Sequence, residues 1–530
     1  MTQATDQRRR AGRTRTAPAA TVLAGAALVW LTCGAAPMMA QTQSPLSASD
    51  WLSGSVSAPP RAMSGWRPGD PMPPDAERLG AANAAKRPPI PPVARSGAVG
   101  AVTVKRLDDT DANRAGTQSA QAAGLPADLW QGSDGDEIAQ LIARTPTRLP
   151  AMGALMRRLA TAQLAPPGDG ADTAAASDAL FLARADRLLD MGDVAAARAL
   201  LRAAGPGDPE RFRRLFDIAL LQGDEDDACR IMSATPGIAP SFAARIFCLA
   251  RSGDWPAAAV VLRGAEALGR IDPTRADLLS QFLDNAEPEP GDRLVPPMPV
   301  TPLDFRMFEA VGQPLPTTGM PLAFAHSDLR PTNGWKARLE AAERIARAGT
   351  MPAADLHALY TEQRPAASGG VWERASAFQA LMSEFEIGPD PGPTLRAAVE
   401  EFGRVDLTHA LAAMLADRLP ALAAAPPGIA PATAREAARL IGWLGQTPPA
   451  ATLDALPPSR IDATPPPAPP QTARGAALLR AMADVDAGLD GDTARAGRGL
   501  AMLQALGFET DAQAARLQLD LMLAQAAQGG

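Results

Sequence analysis

The side chains with the most varied chemistry stand close together between residues 360 and 372. This segment joins two predicted helices and offers a phenol, a guanidinium, a hydroxyl, two glycines and an indole: Tyr360, Arg364, Ser368, Gly369, Gly370 and Trp372. Backbone amides beside a glycine pair, together with an arginine, can bind a carboxylate or a peptide terminus. A local interpretation competes with this one, in which the glycines permit a tight turn and Ser368 caps the next helix. Arg364 would then pair with Glu362 or Glu373.

The chain contains three histidines, His326, His357 and His409. None has a second ligand at a metal-binding spacing, so we expect structural or surface roles and no bound metal. The sequence also lacks a phosphate-binding loop, a glycine-rich turn after a strand and a Gly-x-Ser-x-Gly elbow. It therefore predicts a protein without catalytic residues or a cofactor, although carboxylates that only folding brings together leave no such pattern.

The charge pattern argues against nucleic-acid binding. The net charge is −7, and lysine occurs only at Lys86, Lys105 and Lys336. No basic patch follows the N-terminal segment, and a protein that binds the phosphate backbone of DNA or RNA needs one.

A pattern of about 30 residues occurs three times in succession. Gly192, Gly223 and Gly253 each precede an aspartate, at steps of 31 and 30 residues. The pattern places a phenylalanine eleven residues before each glycine and small or apolar residues at −7, −4, +5 and +9: Phe181, Phe212, Phe242; Ala185, Phe216, Ile246; Leu188, Ala219, Leu249; Ala197, Ala228, Ala258; Leu201, Met232, Leu262.

These spacings predict helical hairpins. Offsets of eleven, seven and four residues place the apolar side chains on one buried face of a helix. Glycine ends that helix because it adopts the left-handed conformation at little cost, and the aspartate can cap the next helix. A single hairpin cannot bury its apolar face alone, so we expect neighbouring hairpins to stack.

The repeats resemble the tetratricopeptide class of α-solenoids over residues 175–268. Gly253-Asp254-Trp255 followed by Ala258 is similar to the turn between the two helices of that repeat. The period is shorter than the 34 residues of that class, and the Trp, Gly and Tyr signature of its first helix is missing. The whole chain also resembles a group of exported helical proteins of α-proteobacteria. That resemblance implies a compartment and an architecture, and no activity.

Cys229 and Cys248 are the cysteines that lie beyond the N-terminal segment. They fall on adjacent antiparallel helices of successive hairpins, at an axial offset of about 6 Å from a rise of 1.5 Å per residue. This offset is borderline for a disulfide. An oxidising compartment favours the bond, and two buried unlinked thiols are the alternative.

The N-terminus has the order of a secretory signal. Residues 8–15 are basic, residues 17–31 are apolar, and small residues lead to a cleavage point after Ala40. The apolar run is shorter than the roughly 20 residues that span a bilayer. Met38 is large for a cleavage site, so an uncleaved anchor that tethers the protein to the membrane through residues 17–33 is the alternative. Either reading predicts export, to the periplasm or to the periplasmic face of the inner membrane.

Residues 41–130 are rich in Pro, Ala, Gly and Ser and have no sustained helical period. They contain too few apolar side chains to offset the entropy of ordering, so we predict a disordered arm. Trp51 and Trp66 within it are candidate anchors for a partner. The alternative, that these two rings pack on this protein's own helices, stays open.

The remaining chain divides into three predicted regions. Residues 131–286 form hairpin repeats, residues 287–330 a proline-rich connection, and residues 331–530 a second region of helical hairpins. The helices predicted outside the three repeats are 133–144, 150–164, 335–348, 352–360, 371–386, 393–402, 408–424, 431–444, 472–488, 494–506 and 511–526.

The sequence thus predicts an all-α protein, a solenoid of stacked helical hairpins behind a disordered arm. Such a surface suits a non-enzymatic scaffold of the cell envelope that binds protein or peptide partners. A cell-wall-acting periplasmic enzyme that carries a helical solenoid is the alternative.

Overall fold

The computed structural model describes residues 112–167, 173–284 and 293–529, except residues 389, 463, 466, 469 and 471. Within these residues the fold is all-α. Their strand structure is confined to β1 (Gln118–Ser119) and β2 (Ala162–Gln163), which pair in parallel. The predicted signal segment and most of the predicted arm, residues 1–111, lie outside the described residues.

The helices follow one another through short connections. The first part of the chain forms α1 (Gly135–Arg144), α2 (Pro150–Thr161), α3 (Thr173–Asp190), α4 (Val194–Ala203), α5 (Pro209–Gln222), α6 (Glu225–Ala234), α7 (Phe242–Arg251), α8 (Trp255–Ala267) and α9 (Pro273–Asp284). The second part forms α10 (Pro302–Ala310), α11 (Ala325–Asp328), α12 (Trp335–Arg347), α13 (Ala353–Thr361), α14 (Val371–Ile387), α15 (Gly392–Gly403), α16 (Thr408–Met414), α17 (Leu419–Ala423), α18 (Pro431–Trp443), α19 (Arg474–Asp486), α20 (Thr493–Ala505) and α21 (Glu509–Gly529). Short 3-10 helices cover Ala112–Arg114, Leu322–Phe324, Ala450–Ala455 and Ala487–Asp490.

From α3 to α8 each helix packs against the next. The three repeat glycines have φ angles of 74° at Gly192, 85° at Gly223 and 87° at Gly253, as a left-handed helix end requires. Asp193 and Asp254 accept hydrogen bonds from the third residue of the following helix. The second repeat differs: Asp224 makes no capping bond, and its carboxylate instead pairs with Arg198 at 2.5 Å.

The folded part begins earlier than the predicted end of the arm at residue 130. Leu129 and Trp130 are 1% and 2% exposed and belong to a core shared with α1 and α2. The buried guanidinium of Arg184 fixes this N-terminal part by donating to the carbonyls of Ala115, at 3.0 Å, and Ala162, at 2.8 Å. The predicted end of the arm at residue 130 was wrong. The few apolar side chains just before it are enough to order this stretch, because neighbouring helices cover them.

The proline-rich connection is a packed element and contains a helix that the sequence did not predict. Residues 293–333, here called the return segment, run back over the first helices of the hairpins. Its helix α10 packs against α5 and α9, and α11 also packs against α5. A Cβ atom on Gly192 would lie 2.7 Å from Cγ of Leu322, so the Leu322 side chain packs directly on the Gly192 backbone. The short helix α10 forms because it buries its apolar side chains: Leu303, Phe305, Met307 and Phe308.

The first and last helices of the described chain pack together. Helix α1 contacts α19 and α2 contacts α21, and one core cluster contains residues from both ends. The side-chain carbonyl of Gln518 accepts a hydrogen bond from the backbone of Ala151 at 2.8 Å. The predicted helix 408–424 is divided into α16 and α17, because Pro420 lacks an amide hydrogen and begins a new helix.

Among the helices of residues 112–529, none combines the length and the apolar character needed to cross a bilayer.

Candidate functional site

The residues of segment 360–372 do not form one site. Tyr360 is fully buried, and its hydroxyl donates to Oε1 of Glu343 at 2.8 Å. Arg374 donates to both oxygens of the same carboxylate at 2.7 Å, and burial raises the pKa of Tyr360 well above its usual range. Trp372 is half-buried and lies against Trp335, with ring centroids 5.1 Å apart. These two aromatic side chains therefore stabilise the C-terminal core.

The other members of that segment face solvent. Arg364, Ser368, Gly369 and Gly370 are exposed, and both glycines have positive φ angles in a turn. The glycines form the tight turn that the local interpretation predicts, but two of the contacts that it predicts are absent. Helix α14 begins without a side-chain cap, so Ser368 does not cap it. Glu362 pairs with Arg338, not Arg364. The residues of the expected carboxylate pocket, Arg364 and the two glycines, lie together on the exposed surface of this turn. Trp51 and Trp66 lie outside the described residues.

A different position departs from the repeat pattern. Phe181 and Phe212 are 1% and 0% exposed, as their place on the buried face predicts, but Phe242 is 43% exposed. The reason is the path of the return segment, which packs on α5 and α9 and leaves the start of α7 uncovered. The ring of Phe242 lines an open cleft of about 400 Å³, here called the Phe242 cleft.

The starts of three helices line the Phe242 cleft. Each start is fixed by a local side-chain cap. The hydroxyl of Ser241 accepts from the amide of Ala244 at 3.1 Å, and the carboxylate of Asp272 accepts from the amide of Arg275 at 3.0 Å. Thr301 begins α10 with a reciprocal capping box. These caps use Ser, Asp and Thr, the residues that favour helix starts, so the walls are set by local sequence.

Three arginines lie along the cleft: Arg213, Arg270 and Arg275. The guanidinium of Arg275 pairs with both oxygens of the fully buried Asp304, at 2.7 and 2.8 Å, and this pairing raises the pKa of Arg275. Arg213 contacts Glu210 at 3.2 Å and Asp217 at 3.4 Å. Arg270 is exposed and forms no ion pair with the residues that the structure describes.

Asp217 is the cleft residue with the most perturbed titration. Burial raises its pKa to about 7, and the nearby carboxylates of Asp186 and Asp304 act in the same direction. The guanidinium groups of Arg213 and Arg214 oppose this shift without cancelling it. The side chain of Asp217 keeps 26% of its surface exposed. It can therefore exchange a proton near neutral pH.

A disulfide joins α6 to α7, the helix that carries Phe242. Cys229 on α6 and Cys248 on α7 are bonded, with Cα atoms 5.1 Å apart. Helix α7 carries Phe242 at its first turn, so the bond fixes the helix that presents this ring. The sequence had left open whether these cysteines are linked.

The histidines have structural contacts. The ring of His326 lies 2.8 Å from the carbonyl of Gly192, and that of His409 lies 3.1 Å from the carbonyl of Trp443. Burial lowers the pKa of both. Among the described residues, no group of three or more His, Cys, Asp or Glu side chains is arranged to hold a metal.

Sequence reasoning missed the Phe242 cleft. Its lining residues come from four separate helices, and α10 was not predicted. The repeat pattern placed Phe242 in register with Phe181 and Phe212, but it did not indicate that this ring would be the exposed one. No protein-family model, curated protein or solved structure matches this chain.

Proposed function

We propose that the protein is an exported scaffold of the cell envelope whose Phe242 cleft binds a peptide segment of a partner protein. In this proposal α3–α9 form a solenoid of the tetratricopeptide-like kind. The return segment covers part of the surface presented by the first helices, so the partner binds where that cover is missing.

The exposed ring of Phe242 is the observation that supports this function. Its equivalents in the other two repeats are buried, and an exposed aromatic side chain in a concave site is typical of a peptide anchor. The cleft is wide enough for one or two side chains, with apolar walls from Phe216, Ile271 and Leu303 and charged groups at its edge. An apolar cleft with charged groups at its edge is sufficient for a scaffold that binds a peptide.

The test is affinity capture of a C-terminally tagged copy after cross-linking in the cell. The unchanged protein is compared with Phe242→Ala and with Ile387→Ala. Ile387 is a matched control because it is 81% exposed and lies on α14, away from the cleft. We expect one discrete partner with the unchanged protein and the control, and its loss with Phe242→Ala. Equal recovery with all three forms would remove the cleft from the proposal.

A cell-wall-acting enzyme is the second candidate, and Asp217 is the observation that favours it. A carboxyl group with a pKa of about 7 can act as a general acid, and Asp272 lies in the same cleft as a second carboxylate. The test is release of soluble fragments from isolated peptidoglycan by the purified protein. Release that Asp217→Asn abolishes, and that Asp277→Asn on the exposed side of α9 leaves intact, would establish the enzyme. Absence of release would discard it.

A further inference from the structure

The Phe242 cleft combines an apolar ring with three arginines and two aspartates, Asp217 and Asp272. Of the acidic groups around it, Asp272 is engaged by Arg275 at 3.1 Å and also caps α9. Asp304 is 0% exposed beneath the floor, where Arg275 and Thr301 use both of its oxygens. Asp217 keeps 26% of its side-chain surface exposed and pairs with Arg213 at 3.4 Å. Each of these three carboxylates is therefore paired with an arginine of the cleft.

Of the three arginines that line the Phe242 cleft, Arg270 is the one without an ion pair among the described residues. It lies in the loop between α8 and α9, directly before Ile271, which also lines the cleft. Its side chain faces the cleft without an ion pair among the described residues. Arg213, on the opposite wall, is 41% exposed and shares its charge between Glu210 and Asp217.

We propose that the Phe242 cleft selects an acidic peptide segment, in which a carboxylate side chain stands next to an aromatic or aliphatic residue. The apolar residue contacts Phe242 and Ile271, and the carboxylate pairs with Arg270. The choice of ligand rests on charge complementarity, because an arginine fork matches a carboxylate in geometry as well as in sign. This inference rests on the proposed function and adds the chemistry of the partner.

The test uses a random peptide library selected on the immobilised full chain. We expect the selected peptides to be enriched in Asp or Glu adjacent to an aromatic or aliphatic residue. Their synthetic copies should bind at least tenfold more weakly to Arg270→Glu, because the substitution replaces an attraction with a repulsion of the same range. Arg435→Glu is the matched control, since Arg435 is also exposed but lies on α18. It should leave binding unchanged.

The outcomes separate the two proposals. Peptides that require Phe242 but are basic or neutral, or that bind Arg270→Glu as well as the unchanged protein, would overturn the acidic preference and leave the binding cleft intact. Peptides that ignore both Phe242→Ala and Arg270→Glu, or a selection that yields no binding peptide, would overturn the inference together with the cleft itself.

Discussion

Arg148, in the loop between α1 and α2, is bound to Asp486 at the end of α19, 338 residues later in the chain. The carboxylate of Asp486 is fully buried and accepts from the backbone amide of Arg148 at 3.0 Å and from its Nε atom at 2.6 Å. The two ends of the described chain therefore share a polar contact to a buried carboxylate as well as an apolar core.

We expect Asp486→Ala to lower the free energy of unfolding by about 3 kcal/mol, because it removes the buried acceptor of two hydrogen bonds from Arg148, one of them charge-assisted. Urea denaturation measures the change. Asp490→Ala is the control, because Asp490 pairs with the same arginine but has a 66% exposed side chain. If the control destabilises the protein as much as Asp486→Ala, burial of the contact is not the cause.

Gly192→Ala tests the packing of the return segment. The substitution strains a backbone with φ of 74° and brings a methyl group against Leu322. Gly253→Ala imposes the same kind of strain at φ of 87° but meets nothing within 4 Å. We expect about 1 kcal/mol of destabilisation for Gly253→Ala and about 2 kcal/mol more for Gly192→Ala, by thermal or urea unfolding. Equal losses would mean that Leu322 does not pack there.

The sequence predicted most helices of residues 335–529, apart from the division of 408–424, and the three glycine helix ends, because these depend on local signals. Trp335 begins α12 as expected, and Gly223 ends α5 in the left-handed conformation. The packing of the return segment could not be predicted from the sequence, because the burial of Phe305 depends on helices that are distant in the chain. The Phe242 cleft follows from that same long-range packing. In segment 360–372, Tyr360 and Trp372 pack in the core, whereas Arg364 and the two glycines face solvent.

Substitutions at Tyr360 and Arg364 should differ in their effect on the free energy of unfolding. Tyr360→Phe removes a buried hydrogen bond to Glu343 and should lower the free energy of unfolding by about 1 to 2 kcal/mol. Arg364→Ala removes an exposed side chain and should change neither stability nor partner capture. Urea denaturation checks the first expectation and the cross-linking assay the second. Loss of partner capture with Arg364→Ala would restore segment 360–372 as a binding site.

The titration of Asp217 predicts a pH dependence of stability. In the unfolded chain its carboxyl ionises near pH 4, and in the folded protein only near pH 7. Between these values the unfolded state loses a proton that the folded state keeps, so this group lowers stability as the pH rises and adds no further change above pH 7. Because Asp217 is partly exposed, we expect a loss of about 2 kcal/mol in this window.

Asp217→Asn should remove this loss and stabilise the protein at about pH 8 by the same amount, as urea denaturation at about pH 4 and about pH 8 would measure. The control is Asp277→Asn, an exposed aspartate on α9. It should leave the pH profile unchanged. A profile that Asp217→Asn does not alter would mean that Asp217 ionises normally in the folded protein.

The most direct measurement is site-specific photo-cross-linking in the cell, with a photoreactive phenylalanine analogue in place of Phe242 and, separately, of Ile387. If the Phe242 cleft binds a partner, we expect a discrete adduct with another protein at Phe242, suppressed by Arg270→Glu, and none at Ile387. Adducts of equal yield at both positions, a link only to this chain's own residues, or no adduct at Phe242 would contradict it.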